Sequence, residues 1–207
     1  MTFNILYYSH PSAIKKLLPL AIGVLAFMIY FPGFWWGVPH ATAPDRVQAW
    51  GVDDETPLGP LTEVYHIVKS NPDRFNQKVS LGYPQLYSFI VVAAYTPFLG
   101  YLWLSDQFNS PSAIYPYGLS NPTRTLKILT LIAHFVSLLM GVGIVVAAYY
   151  AGQALWNHYN GVLAALFAMV SLPMFYYART GNVDVPVLFF TALALAVFAR
   201  IIVGGFT

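Results

Sequence analysis

The chain has 207 residues, no cysteine and a formal net charge of +2, and 57% of its residues are hydrophobic. Only 9% are charged, and the mean hydropathy is +0.59. This composition excludes a soluble domain, the small and scattered positive charge excludes a nucleic-acid binder, and the missing thiols exclude disulfides and zinc-thiolate sites. The sequence therefore predicts an all-α integral membrane protein.

Four long apolar stretches contain no charged residue: 17–44, 79–105, 128–178 and 185–199. Because a membrane span needs roughly 20 apolar residues, the third stretch has room for two spans and each of the others for one. We therefore expect a single membrane domain over residues 1–207, with about four or five transmembrane helices.

Residues 1–16 form a polar and aromatic lead that ends in Lys15 and Lys16, and 17–36 is the first predicted span. The paired lysines place the N-terminus in the cytoplasm, and Trp35 and Trp36 are typical of the far interface. A cleaved signal peptide is the alternative, because Ala41-Thr42-Ala43 resembles a cleavage site. The apolar segment is longer than the apolar region of a usual signal peptide, so we expect it to be retained as a membrane span. The protein is then a multi-pass protein, as in a bacterial inner membrane.

The loop 38–82 is predicted to be extracytoplasmic, and ten of the eighteen charged residues lie between Asp45 and Lys78. It carries three consecutive carboxylates, Asp53, Asp54 and Glu55. Three interpretations stay open: a general base, a metal clamp, or a solvated acidic turn before a helix start. A short helix on the membrane surface is predicted from Gly59-Pro60, with apolar residues at 61, 64, 65 and 68 on one face.

The next segment, 83–104, is either interfacial or transmembrane, and Pro97 and Gly100 are expected to interrupt it. Spans are predicted at 128–150, 161–177 and 186–203. If the Asp184 turn and the acidic loop form one site on the same side of the membrane, the chain must cross the membrane an even number of times between them. Three apolar segments intervene, so we expect that 83–104 stays in the outer leaflet.

A second polar group of residues precedes the last span: Arg179, Asn182 and Asp184. Asp184 is well placed to be the N-cap of that span, with Pro186 in the first turn. Arg179 either extends its charge to the membrane edge or binds an anionic phosphate group. His134 lies inside a predicted span, and we expect its side chain to form a hydrogen bond to a neighbouring helix.

The order of these features resembles the GT-C superfamily of membrane glycosyltransferases, which includes protein O-mannosyltransferases and aminoarabinose transferases. The acidic pair would be Asp54-Glu55, with Asp53 as a neighbour. Tyr83-Pro84-Gln85-Leu86 resembles a family segment in which a second proline stands where Gln85 does. The stretch from Gly161 to Asp184, with Leu172-Pro173, is similar to the family's second outer motif. The resemblance covers residues 17–203.

The resemblance implies transfer of a sugar from a polyprenyl-phosphate donor to an acceptor at the extracytoplasmic face. Asp54 would be the base, and Asp53 and Glu55 would orient it. Tyr83, Asn182 and Asp184 would bind substrate, and Arg179 would hold the lipid phosphate. A divalent cation, if one is used, would be bound by Asp54, Glu55 and Asp184.

GT-C enzymes usually have more spans than this sequence provides. The sequence therefore predicts either the first part of such an enzyme or a short relative of it. The alternative function is a non-catalytic GT-C-like subunit packed within a larger membrane protein complex.

Overall fold

The structure is a computed structural model that describes residues 12–38, 57–69, 85–108, 110 and 116–204. Within these ranges the protein is helical. The elements in chain order are α1 (Ser12–Tyr30, extended by a 3-10 turn over Phe31–Gly33), α2 (Leu58–Lys69), α3 (Gln85–Leu104), α4 (Pro122–Leu155), α5 (His158–Val170), α6 (Leu172–Tyr177) and α7 (Asp184–Gly204).

Three of these helices are long and apolar enough to cross a membrane: Leu86–Leu104, Pro122–Leu155 and Asp184–Gly204. Two shorter apolar helices, Leu17–Gly33 and His158–Val170, accompany them. The described chain therefore has the composition and the helix lengths of an all-α membrane protein. The short helix predicted after Gly59 and Pro60 is α2.

The central element is α4, against which α1, α5 and α7 pack. Small residues let the helices approach closely, as the sequence predicted. At Gly143 an added Cβ would lie 2.9 Å from the Cδ2 atom of Phe189 on α7. At Gly161 on α5 it would lie 2.7 Å from the carbonyl oxygen of Tyr149. The core around α4 contains Ile22, Ala26, Tyr30, Leu138, Val145, Tyr149, Ala165 and Met169.

The contacts along α4 define the two ends of this bundle. Gly23 lies beside Val142 and Val146, whereas Phe34 bonds to His134, so α1 runs antiparallel to α4. The end that contains Gly33, Met169 and the turn at 178–183 is called the turn end here. The end that contains residues 150–154 of α4 and residues 200–204 of α7 is called the opposite end.

The predicted span 128–150 is part of a longer helix, since α4 begins at Pro122. Its start follows local signals, because the Asn121 side chain accepts a hydrogen bond of 3.1 Å from the Arg124 N–H and Pro122 occupies the first turn. Arg124 and Lys127 lie within the helix, where both side chains are exposed. These two charged residues precede the predicted span in the sequence, but they form part of the first two turns of α4.

The predicted span 161–177 is two helices, because α5 ends at Val170 and α6 begins at Leu172. Pro173 has no N–H to offer the carbonyl of Met169 four residues earlier. That carbonyl accepts a buried hydrogen bond of 3.1 Å from the Tyr30 hydroxyl instead. The break between α5 and α6 is thereby compensated by a side chain from α1.

The predicted interruption of the segment at Pro97 and Gly100 is wrong, because α3 continues through both residues to Leu104. The chain then turns back, and the Ser120 N–H donates to the Gln107 carbonyl at 3.1 Å. The C-terminus of α3 therefore lies next to the N-terminus of α4. Side chains of the two helices share a buried cluster that consists of Tyr87, Val91, Tyr95, Leu129 and Ala133.

Candidate functional site

The turn at 178–183 joins α6 to α7 and is stabilised by its own backbone. The Ala178 N–H donates to the Met174 carbonyl at 3.0 Å, and the Asn182 N–H donates to the Thr180 carbonyl at 2.9 Å. Ala178, Thr180 and Asn182 are buried. A turn with a buried backbone and internal hydrogen bonds presents its remaining side chains in fixed positions.

Two contacts attach this turn to the rest of the protein. Ala178 packs on Gly141 of α4 so closely that a Cβ at Gly141 would lie 2.7 Å from the Cβ of Ala178. The Tyr87 hydroxyl, in the first turn of α3, donates a buried hydrogen bond of 2.7 Å to the Gly181 carbonyl. The turn is therefore positioned by both α3 and α4.

The capping group of α7 differs from the one expected. The Asn182 side-chain oxygen accepts a hydrogen bond of 2.7 Å from the Asp184 N–H. Asp184 is itself the first residue of the helix, and its side chain is exposed. Asn182 therefore provides the acceptor predicted for Asp184, while the Asp184 carboxylate stabilises the helix through its position in the first turn.

Arg179 is the charged residue of the turn, and its side chain lies between α6 and the end of α1. Its guanidinium carbon is 3.4 Å from the centroid of the Phe175 ring, which is a cation–π contact. On the α1 side it passes Gly33, where an added Cβ would lie 2.6 Å from Nη1 and 3.0 Å from Nε of Arg179. A side chain at residue 33 would therefore require Arg179 to move.

The charge of Arg179 is only partly compensated within the described residues. Its Nε is buried and has no hydrogen-bond partner, and no carboxylate of the described residues pairs with the guanidinium. Burial lowers the pKa of Arg179, and the nearby Tyr30 phenol opposes that shift. Because an arginine pKa remains far above neutrality, the side chain keeps its charge. The site therefore presents a cation whose Nε has no hydrogen-bond partner among the described residues.

His134 links α4 to the same end of α1. It is fully buried, and its Nδ1 lies 2.9 Å from the carbonyl oxygen of Phe34. Since a carbonyl oxygen can only accept, Nδ1 is the protonated nitrogen in this contact. His134 therefore makes a hydrogen bond as predicted, but its partner is the turn directly after Gly33 and not a second helix.

The structure places three of the predicted site residues in one short segment: Arg179, Asn182 and Asp184. Asn182 is fully buried and Asp184 is exposed, so they face different surroundings. The predicted catalytic residues Asp53, Asp54 and Glu55 lie outside the described residues, as does Tyr83. Their roles, and the metal set of Asp54, Glu55 and Asp184, stay predictions. In the described ranges no three His, Asp or Glu side chains are grouped as metal ligands.

Two residues that shape the Arg179 site were not found from the sequence: Gly33 and Phe175. Gly33 closes a Phe-Pro-Gly sequence at the end of the first apolar segment, which is the one signal that marks it. Phe175 precedes Arg179 by four residues, a spacing at which side chains on a helix can meet.

Three comparisons with known proteins gave no match: no family model, no curated protein and no solved structure is similar to this chain. Functional conclusions about the chain rest on its own residues.

Proposed function

We propose that this protein binds a polyprenyl-phosphate sugar at the 178–183 turn and acts as a membrane glycosyltransferase of the GT-C type. The observation that supports the proposal is the setting of Arg179, with its ring contact to Phe175 and a buried, unpaired Nε. The planar guanidinium of arginine suits a phosphate group. A hydrogen bond between two charged groups of this kind is about twice as strong as a neutral one.

The orientation we propose follows from Lys15 and Lys16, which place the N-terminus in the cytoplasm. Helix α1 then carries Gly33 to the extracytoplasmic side, and the turn with Arg179 lies there with it. Helix α3 begins at that turn and ends beside the start of α4. Helix α3 therefore runs alongside the first half of α4. This arrangement supports a topology in which α3 is not a membrane crossing of its own.

In the proposed reaction the acceptor hydroxyl attacks the anomeric carbon of the donor sugar. Asp54 takes the hydroxyl proton as general base, and Asp53 and Glu55 orient it. The bond from the anomeric carbon to the phosphate oxygen breaks, and its electron pair leaves with the polyprenyl phosphate. Arg179 stabilises the negative charge that grows on this leaving group, and a divalent cation, where used, would add to that stabilisation.

The test of this proposal is donor binding, measured by native mass spectrometry of the full chain with polyprenyl-phosphate sugars. Arg179→Gln removes the proposed phosphate contact, and Arg124→Gln is the matched control, because it removes the same charge from an exposed position on α4. We expect Arg179→Gln to weaken binding by about tenfold or more, with Arg124→Gln like the wild type. Equal loss in both variants, or no binding by the wild type, would refute the phosphate site.

Turnover separates the catalytic role from the binding role. We expect Asp54→Asn to keep the donor bound while transfer of the sugar is lost, because the amide cannot accept the proton. If transfer continues in Asp54→Asn, this carboxylate is not the base.

A non-catalytic membrane subunit is the second candidate, and the exposed surface of α7 favours it. Only 11% of the apolar stretch of this helix is buried inside the protein, and large apolar side chains cover its outer face. They include Val187, Leu188, Phe190, Leu195, Val197 and Phe198. Such a face suits lipid or neighbouring helices. Stoichiometric co-purification with other membrane proteins, together with no donor binding, would support this function over the enzyme.

A further inference from the structure

A cavity with both polar and apolar lining residues lies at the opposite end of the bundle from Arg179. It has a volume of about 260 Å³ and is formed where the last turns of α4 and α7 meet. Its lining consists of Tyr150, Gln153, Ala154, Arg200, Val203 and Gly204. Arg200 follows Asp184 by 16 residues in α7, which is about 24 Å along the helix axis. This cavity is therefore separate from the turn that carries Arg179.

Arg200 gives the cavity its positive charge. Its guanidinium carbon is 5.5 Å from the centroid of the Tyr150 ring, and its side chain is exposed. Because Arg200 is four residues from the end of α7 at Gly204, it lies about 6 Å from the end of the helix. An arginine at this position reaches the level of lipid headgroups.

Gln153 gives the cavity a second polar group. Its Nε2 lies 3.4 Å from Nε2 of His158, and Nδ1 of His158 lies 2.8 Å from the Tyr149 hydroxyl. The Oε1 of Gln153 is buried without a hydrogen-bond partner among the described residues. An unsatisfied buried acceptor favours a ligand that brings a hydrogen-bond donor.

We propose that this cavity binds the headgroup of an anionic glycerophospholipid that carries hydroxyl groups, such as phosphatidylglycerol. The phosphate contacts the Arg200 guanidinium, and a headgroup hydroxyl donates to Oε1 of Gln153. Ala154 and Val203 border the site with apolar surface that suits the glycerol backbone of the lipid. An arginine that only extends its charge to the membrane surface would need neither a cavity nor an acceptor beside it.

The proposal is tested by lipid titration of the full chain in detergent, with the bound lipids counted by native mass spectrometry. Phosphatidylglycerol is compared with phosphatidylcholine, and with phosphatidylmethanol, which keeps the single phosphate charge but lacks the hydroxyls. All three lipids carry the same acyl chains. The variants are Arg200→Gln, Gln153→Met and, as the matched charge control, Arg124→Gln. Circular dichroism establishes that each variant keeps its helix content. If Arg200→Gln loses helix content, Arg200→Lys is used in its place.

We expect the wild type to prefer phosphatidylglycerol and Arg200→Gln to bind it about tenfold more weakly. Arg124→Gln is expected to bind like the wild type, and Gln153→Met to lose the preference over phosphatidylmethanol. Equal binding by wild type and Arg200→Gln, or an equal loss in Arg124→Gln, would overturn the site. If soluble glycerol 3-phosphate displaces the lipid at equal concentration, the ligand is a soluble phosphate and the lipid assignment is wrong.

Discussion

The hydrogen bond from Tyr30 to Met169 compensates for a proline, and its removal therefore has a cost that can be reasoned out in advance. In Tyr30→Phe the ring remains in a fully buried position, and only the hydroxyl is lost. The Met169 carbonyl then has no donor, because Pro173 cannot supply one. Hydrogen bonds between membrane helices average about 0.6 kcal/mol, whereas an unsatisfied buried acceptor costs about 1–3 kcal/mol.

The cost of an unsatisfied buried acceptor is the one that applies here, so Tyr30→Phe should lower the free energy of unfolding by about 1–2 kcal/mol. The assay is unfolding by SDS titration from mixed micelles, followed by circular dichroism. Tyr101→Phe is the matched control, because Tyr101 is a tyrosine with 60% of its surface exposed. It should change the free energy by less than about 0.5 kcal/mol.

A double-mutant cycle tests the cause of this cost. Ser171 between α5 and α6 is extended, with φ −63° and ψ 131°. If Pro173→Ala lets residue 171 become helical, the N–H of residue 173 reaches the Met169 carbonyl, and Tyr30→Phe should then cost less than in the wild type. If Tyr30→Phe costs as much in both backgrounds, or no more than Tyr101→Phe, the compensation for Pro173 is refuted.

Three further substitutions, with Gly100→Ala as a control, test the contacts around the turn. Gly141→Ala should destabilise the protein by about 1–3 kcal/mol through overpacking. A Cβ at Gly100 meets nothing within 4 Å, so Gly100→Ala should stabilise the protein by about 0.5–1 kcal/mol. SDS titration measures both free energies of unfolding, and equal effects would contradict the packing argument. Tyr87→Phe should cost about 1–2 kcal/mol by removing the buried hydrogen bond to the Gly181 carbonyl, and a cost near zero would show that this bond does not hold the turn. Gly33→Ala should displace the arginine of the turn and weaken donor binding in native mass spectrometry, and unchanged binding would exclude the guanidinium position described here.

The membrane class and the short helix α2 could be predicted because both depend on local composition and periodicity. The start of α4 was missed although Asn121 and Pro122 form a recognisable helix start. The charges of Arg124 and Lys127 were read as the edge of a span, but a helix continues beyond the apolar part of its sequence. The continuity of α3 through Pro97, whose side chain is exposed, could not be predicted because a proline inside a helix is costly but is tolerated in apolar helices of membrane proteins.

The setting of Arg179 could not be predicted in this way. Gly33 and Arg179 are 146 positions apart in the sequence, and their contact depends on how α1 and α6 pack at the turn end. No periodic pattern in one segment carries that information. The residue type was a reasonable guide to phosphate chemistry, but the room that Gly33 leaves for the side chain is a property of the tertiary structure.

The length of α4 has a consequence for how a ligand would arrive at the turn. A helix of 34 residues is about 51 Å long, against a hydrocarbon core of about 30 Å. Arg124 is exposed near its start, and Gly141, on which the turn packs, lies about 25 Å further along the axis. The turn therefore lies about 25 Å along the α4 axis from Arg124, and the helix fixes that separation. If the turn binds the proposed polyprenyl-phosphate donor, whose chain is dissolved in the bilayer, its occupancy would follow the mole fraction of the donor in the membrane and not its concentration in water.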